Sequence, residues 1–249
     1  MPAVLQWFFA TLTFFSASPA WSAPPLANAR QLVLVTADAW TSTTGSLQRF
    51  HRNGQGAPWK LVGAPVEVAL GRNGLGWGRG LHGEANGTGP LKSEGDGRAP
   101  AGVFALTHLF GYAQTDSLVA KSAKLPYRAA TTDLLCVDDV ASSDYNRIVD
   151  RRQYARPDWK SKEDMRRTDN LYAWGVFVAH NMNPALPQAG SCIFIHVWQD
   201  DGVTTSGCTA GPAADIAELF LWLEARDHPV LVQLPQNEYA RMKVPWGLP

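Results

Sequence analysis

The sequence predicts a mainly β protein with a few helices. Three observations predict it. Short apolar or alternating runs recur between Gly, Pro and Asn punctuation, as successive antiparallel strands do. Ten Trp and 22 Gly suit a loop-rich β protein with an aromatic-lined cleft. Only one segment carries a clear 3.6-residue apolar period.

Composition sets the class. Hydrophobic residues make up 45% of the 249 residues and charged residues 18%, which is enough apolar matter for an ordinary core. Lys+Arg and Asp+Glu balance at 22 each. A balanced chain has no overall field to recruit nucleic acid or an anionic membrane.

Residues 1–23 read as an export signal. Trp7–Phe15 (WFFATLTFF) matches a signal h-region, too short to cross a bilayer, and small residues and prolines follow at Ser16–Pro25. Cleavage is expected after Ala20 or Ala23, with an uncleaved anchor as the alternative. The n-region carries no Lys or Arg, and no Cys near the site suggests lipidation. No later run reaches about 18 apolar residues, so no membrane span is expected after cleavage. The expected location is periplasmic or secreted.

One domain is expected over residues 30–235. Gln31–Ala37 (QLVLVTA), Gly45–His51 and Trp59–Leu70 read as its first strands. Residues 71–102 are Gly-rich, and a structureless stretch of that length inside a compact domain is usually functional or disordered. Its Trp77, Leu81 and His82 argue against a plain linker. Residues 113–170 read as a polar insertion with short helical patches such as Trp159–Arg167. Tyr172–His180 and Ser191–Trp198 are strands by their β-branched and aromatic content. In Pro212–Ala225, Ile216, Leu219, Phe220 and Leu223 repeat at helical spacing, with Pro212 where a first turn tolerates it. Val230–Leu234 is a last strand, and residues 236–249 are left as a C-terminal tail.

Three cysteines, Cys136, Cys192 and Cys208, are an odd count for an oxidising compartment, so at least one stays outside any intramolecular pair. Cys208 is the natural odd one out. It follows Ser206-Gly207 and lies four residues before the expected helix, where the positive end of the dipole would lower a thiol pKa. His196, twelve residues back, is placed to act as its base. A Cys–His pair with backbone N–H donors at the turn is a nucleophilic acyl-transfer site. The blander alternative is a small buried cysteine and a core histidine.

The stretch from His196 to Ser206-Gly207-Cys208 resembles the active-site motif of the L,D-transpeptidase (YkuD-type) catalytic domain family. In that family a His precedes Ser/Thr-x-Gly-Cys. Ala99–Phe104 (APAGVF) resembles the family's Thr-Pro-x-Gly-x-Phe turn. GRNGLGWGRGLH, LLCVDDVASSDYNRIVD and GSCIFIHVW are similar to a variant branch from bacterial envelopes, and the similarity spans roughly residues 30–235. The commoner motif has His directly before Gly-Cys and an Arg or Asn soon after, where this chain has Ser206, Thr209 and Ala210.

The resemblance implies a β-sandwich or mixed-sheet fold, peptidoglycan stem peptides as substrate, a Cys208 nucleophile, His196 as base with its ring oriented by a carbonyl near Val197, and no metal or organic cofactor. Ser206, Gly207 and Cys208 would offer backbone N–H groups to the oxyanion. An amine acceptor gives a cell-wall cross-link, 3–3 or 1–3, while water gives a carboxypeptidase. Arg79, His82 and Arg98 are the candidates to hold the substrate carboxylate in place of the missing Arg, and Tyr145 and Trp198 are candidate substrate contacts. Cys136 and Cys192 are the disulfide candidates, the alternative being two buried thiols. Asp138, Asp139 and Asn146 form a polar cluster with Tyr145 that lines the cleft or caps the insertion. Rival readings are a cysteine carboxypeptidase or amidase, and a wall-binding module stacking glycan on Trp77, Trp174 and Trp198. A papain-like use of His180-Asn181, and a zinc site from His180, His196 and Cys208 without metal-ligand spacing, are the remaining alternatives.

Overall fold

The computed structural model describes residues 24–83 and 88–249, so the signal segment expected at 1–23 lies outside the described residues. The chain runs β1 (Gln31–Ala37), β2 (Thr44–His51), β3 (Lys60–Ala69), β4 (Leu75–Trp77) and β5 (Ala99–Gly111), then a short helix α1 (Leu118–Ser122). Four short strands come next: β6 (Tyr127–Ala129), β7 (Leu134–Val137), β8 (Arg147–Asp150) and β9 (Glu163–Asp164). The last third holds β10 (Trp174–Val178), β11 (Phe194–Val197), β12 (Thr209–Gly211), α2 (Ala213–Trp222), β13 (Val230–Pro235) and α3 (Gln236–Trp246).

β1 is apolar on both faces and buried almost throughout, which requires cover on both sides. It pairs antiparallel with β2 and parallel with β13, and β2 continues antiparallel to β3. The thirteen-residue β5 carries the architecture. Its first part pairs with β13 (Gly102 opposite Gln233) and its last part with β10 (Gly111 opposite Trp174). From β10 the order runs through β11 and β12 back to β3. The mixed sheet is therefore rolled until it meets itself. Its thinnest seam is β12 against β3, where the ladder pairs Ala210 with Ala69.

The expected helix forms as α2, with Pro212 at its N-cap. It buries Ile216, Leu219 and Phe220 against the sheet, each worth roughly 1.5–3 kcal/mol relative to exposure. Phe220 meets Trp174 edge-on at 5.1 Å and Tyr127 at 5.8 Å. Phe220→Ala would leave a cavity there and cost about 3–5 kcal/mol.

Four expectations change. The 113–170 insertion is not mainly helical: besides α1 and one 3-10 turn it holds β6, which pairs with β5 of the main sheet, and a small sheet in the order β8, β7, β9, and Trp159–Arg167 contains β9. Residues 236–249 are not a tail, since Trp246 at the end of α3 and Leu248 just beyond it are buried in the main core. Ala99–Phe104 is not a turn but the start of β5, buried throughout. The Gly-rich stretch is mostly packed scaffold. At Gly74 (φ +78°) a Cβ would fall 2.1 Å from the Trp40 carbonyl oxygen, a closeness that only glycine allows, and Leu75 and Trp77 beside it are buried.

Candidate active site

β11 and β12 run parallel, with Ile195 opposite Thr209 and His196 opposite Ala210. The sequence suggests a strand-loop-strand reversal; instead the 198–208 loop swings round and re-enters in the same direction. It is pinned by Trp198 N–H to Gly211 O, Thr205 N–H to Leu70 O and Arg72 N–H to Thr205 O, each 2.9 Å. This register sets Cys208 level with Phe194, two residues short of His196 on the adjoining strand. The Ser206-Gly207-Cys208 turn needs its glycine, because φ at Gly207 is +147° and a Cβ would lie 3.0 Å from the Arg98 carbonyl oxygen.

The Cys208 sulfur accepts from the Phe194 N–H at 3.4 Å and directs its own S–H toward the Cys192 carbonyl at 3.6 Å. Burial pushes its pKa up to about 12, and the nearby Glu163 charge pushes the same way. This corrects the helix-dipole expectation. The strand β12 and Pro212 intervene before α2 begins, so Cys208 lies outside the first helical turn and burial dominates at the thiol.

His196 directs Nδ1–H to the Val197 carbonyl at 2.7 Å. A carbonyl only accepts, so Nδ1 holds the proton and Nε2 is left as the acceptor. Burial lowers the imidazole pKa to about 4, and the ring of Tyr172 stands edge-on at 5.1 Å. Both shifts point to a neutral thiol beside a neutral imidazole. Such a pair reacts by general-base deprotonation at the moment of attack rather than from a preformed thiolate.

Cys208 and His196 line one cleft of about 450 Å³. Trp198, Ser206 and Gly207 line it too. Gly207 is not an open oxyanion donor here: its N–H is taken by Thr205 Oγ1 at 3.1 Å, and that hydroxyl donates to the Cys208 carbonyl at 2.6 Å. The N–H groups of Ser206 and Cys208 are the remaining candidates.

The other expected substrate contacts fall outside the lining. His82 is wedged between the Gly78 and Val103 backbones. Arg98 spends its guanidinium on the Asn73 and Leu75 carbonyls. Arg79 is exposed, with its backbone N–H donating to the His180 ring. Tyr145 is buried behind the wall, where its hydroxyl bonds Glu94. His180 and Asn181 are likewise scaffold, bonded to the carbonyls of Ala189, Leu186 and Gly190, so they supply neither a papain-like partner nor a zinc ligand to Cys208. Of the polar cluster, Asp138 reaches the cleft, whereas Asp139 holds the Ala141 and Lys160 amides. Trp77 is buried and Trp174 packs on Phe220, which leaves Trp198 without the other two expected stacking partners.

Several cleft residues carry no signal in the sequence. Arg72 donates to Ser206 Oγ at 3.2 Å and, among the described residues, forms no ion pair. The other two cations are matched, Lys92 to Asp96 and Arg167 to Asp169. Glu94, Glu163 and Tyr172 complete the walls, with the Tyr172 hydroxyl bonded to Glu163. They come from remote segments, and no motif groups them.

Cys136 and Cys192 are joined in a disulfide. It ties β7 of the insertion to the residue whose carbonyl faces the thiol. Asn146 reinforces the tie: its Oδ1 accepts from Cys192 N–H at 3.0 Å, and its Nδ2 donates to the His180 and Asn181 carbonyls.

No curated protein matches the chain. Among solved structures it is similar to one titled "Structure of Bdellovibrio bacteriovorus Bd1075", at 13% identity and a TM-score of 0.38, covering 89% of this chain and 55% of that one. The chain thus spans about half the length of that protein. The family model described as the L,D-transpeptidase catalytic domain, YkuD, matches residues 39–232. With most of its length matched, the chain belongs to the YkuD family of L,D-transpeptidase catalytic domains.

Proposed function

We propose that the protein is a peptidoglycan L,D-transpeptidase of the bacterial cell envelope, transferring an acyl group from a diaminopimelate-containing stem peptide through Cys208 to an amine. The observation that carries this reading is the pairing of a half-buried Cys208 with a histidine whose Nδ1 is fixed on Val197 O, both in one cleft. His196 Nε2 takes the thiol proton as sulfur attacks the diaminopimelate carbonyl that is amide-bonded to the terminal D-amino acid. The tetrahedral oxygen is held by backbone N–H groups at the Ser206–Cys208 turn, where one donor is typically worth about 2.7–4 kcal/mol. Collapse releases a D-amino acid, whose nitrogen takes the proton from His196. The acceptor amine then passes its own proton to His196, and the cross-link forms as the thiol leaves.

Arg72, a cleft cation without an ion pair among the described residues, takes the role of carboxylate anchor that the motif leaves vacant. The Cys136–Cys192 disulfide supports an oxidising compartment, and with it the periplasmic or secreted location.

The test is mass spectrometry of purified muropeptides incubated with the protein beside Cys208→Ala. New dimers that require Cys208 are the expected result, and fragmentation then shows which residues are joined. Shortened stems without dimers would make the protein a hydrolase, and no change at all would remove stem peptides as substrates.

A further inference from the structure

We infer that Glu163 is the acceptor-recognition residue of the cleft, holding the ammonium of the incoming amine beside the Cys208 acyl group; this rests on the reading above. Three observations carry it. Glu163 lies in the wall of the same cleft as Cys208 and His196. Of its two carboxyl oxygens, Oε1 accepts from the Tyr172 hydroxyl, while Oε2 has no hydrogen-bond partner among the described residues. Yet no buried side-chain oxygen among them lacks a partner. Oε2 is therefore not sealed off by protein, and the cavity that Glu163 lines is the cleft.

The surrounding charges fit an ammonium better than a second anion. Asp138 and Glu94 line the same cleft, and Arg167, the cation near Glu163, is already committed to Asp169. Tyr172 joins the two halves of the chemistry, with its hydroxyl on Glu163 and its ring against His196. A carboxyl held there also suits proton acceptance, since burial raises its pKa above the usual carboxylate range.

The acceptor arrives as R–NH3+, ion-paired to Glu163 Oε2. One proton passes to the carboxylate, leaving R–NH2 with a free lone pair. The lone pair forms the new C–N bond, and the nitrogen gives a second proton to His196 Nε2. The C–S bond breaks and His196 returns that proton to the Cys208 thiolate. The products are the amide, the thiol and one proton on Glu163, which is released to solvent. Water can also donate a hydrogen bond to Oε2, but a neutral donor gains less there than an ammonium, so Glu163 favours transfer over hydrolysis.

The experiment compares the full chain with Glu163→Gln, using a stem-peptide donor and two acceptors: an amino acid amide, which is an ammonium at neutral pH, and hydroxylamine, which is neutral. In E163Q, transfer to the ammonium acceptor is expected to fall at least about tenfold relative to hydroxylamine, the typical weight of a charged hydrogen bond, with the change in the acceptor KM. Equal losses for both acceptors would overturn the inference and leave Glu163 a support of the cleft. Should E163Q fail to fold, Glu163→Asp serves with the same pair, because pulling the carboxylate back should also penalise the ammonium selectively. Intact-mass detection of an acyl group on Cys208 separates the two levels: no acyl-enzyme sinks the transpeptidase reading, whereas an acyl-enzyme with unchanged acceptor preference sinks only the role of Glu163.

Discussion

Cys208 directs its thiol at the carbonyl of Cys192, 3.6 Å away, and Cys192 is itself half of the disulfide to Cys136. The free sulfur and the bonded one are thus neighbours in one structural unit. Cys192 has a positive φ of 54°, unfavourable for a residue with a Cβ, and is held there by the disulfide and by Asn146. The bridge therefore fixes more than the unfolded chain: it fixes the wall against which Cys208 rests.

The paired replacement Cys136→Ala/Cys192→Ala should cost about 2–5 kcal/mol of stability, as removal of a native disulfide commonly does. Activity should fall further than stability does, even at temperatures where the variant remains folded. Urea melts and muropeptide turnover on the same preparation check both. Full turnover in a destabilised variant would mean that the bridge serves the fold alone.

On the proposed mechanism, the neutral Cys208–His196 pair should set the pH response of catalysis. With the imidazole at about 4 and the thiol at about 12, the base is competent across the neutral range. The acid limb of kcat/KM should then lie well below pH 6.5, and alkylation of Cys208 by iodoacetamide should be slow at pH 7 and climb into the alkaline range. An acid limb near 6.5 with rapid alkylation at neutral pH would instead indicate a preformed thiolate–imidazolium pair.

Burial of His180 and His196 also makes the fold acid-sensitive. In the unfolded chain each titrates near 6.5, but in the fold their pKa values are lowered to about 3 and about 4. Below 6.5 the unfolded chain binds protons that the fold refuses, so stability is lost as pH falls from about 6.5 toward those folded values. Glu163, raised by burial, acts in the opposite sense, gaining stability as pH falls through its raised pKa. Chemical denaturation at pH 7 and pH 5 should show lower stability at pH 5, by on the order of 1–3 kcal/mol. Equal values would mean that the imidazoles are open to solvent.

Legibility in the sequence depends on where periodicity is strong. β1, β11 and β13 announce themselves as largely apolar runs, β2 and β3 by a looser alternation between turn residues, and α2 because Ile216, Leu219 and Phe220 share one face. β5 is hidden by Pro100 and Gly102 at its start, residues that read as a turn until β4 and β13 are seen to pair with them. β7, β8 and β9 are two to four residues long, too short for a period to show. α3 carries Pro245 and no clear apolar stripe, so nothing local marks it. In the site, Cys208 and His196 are legible because their chemistry sits in one short motif. Arg72, Glu94, Glu163 and Tyr172 are not, because only the closure of the sheet and the docking of the insertion bring them to one cleft.

Arg72 provides the sharpest test of how the donor is held. Its guanidinium reaches Ser206 Oγ at the mouth of the nucleophile turn, and no acidic side chain among the described residues neutralises it. A substrate carboxylate bound there would gain a charge-assisted hydrogen bond, worth about 1.5–3 kcal/mol. Arg72→Ala should therefore raise KM for a stem-peptide donor by roughly tenfold to a hundredfold. Alkylation of Cys208 by iodoacetamide, which carries no carboxylate, should change little. Arg72→Lys should recover part of the loss, since it keeps the charge without the bidentate fork. If Arg72→Ala slows alkylation as much as it slows turnover, the side chain supports the Ser206-Gly207-Cys208 turn rather than the substrate, and the carboxylate must find its cation elsewhere in the cleft.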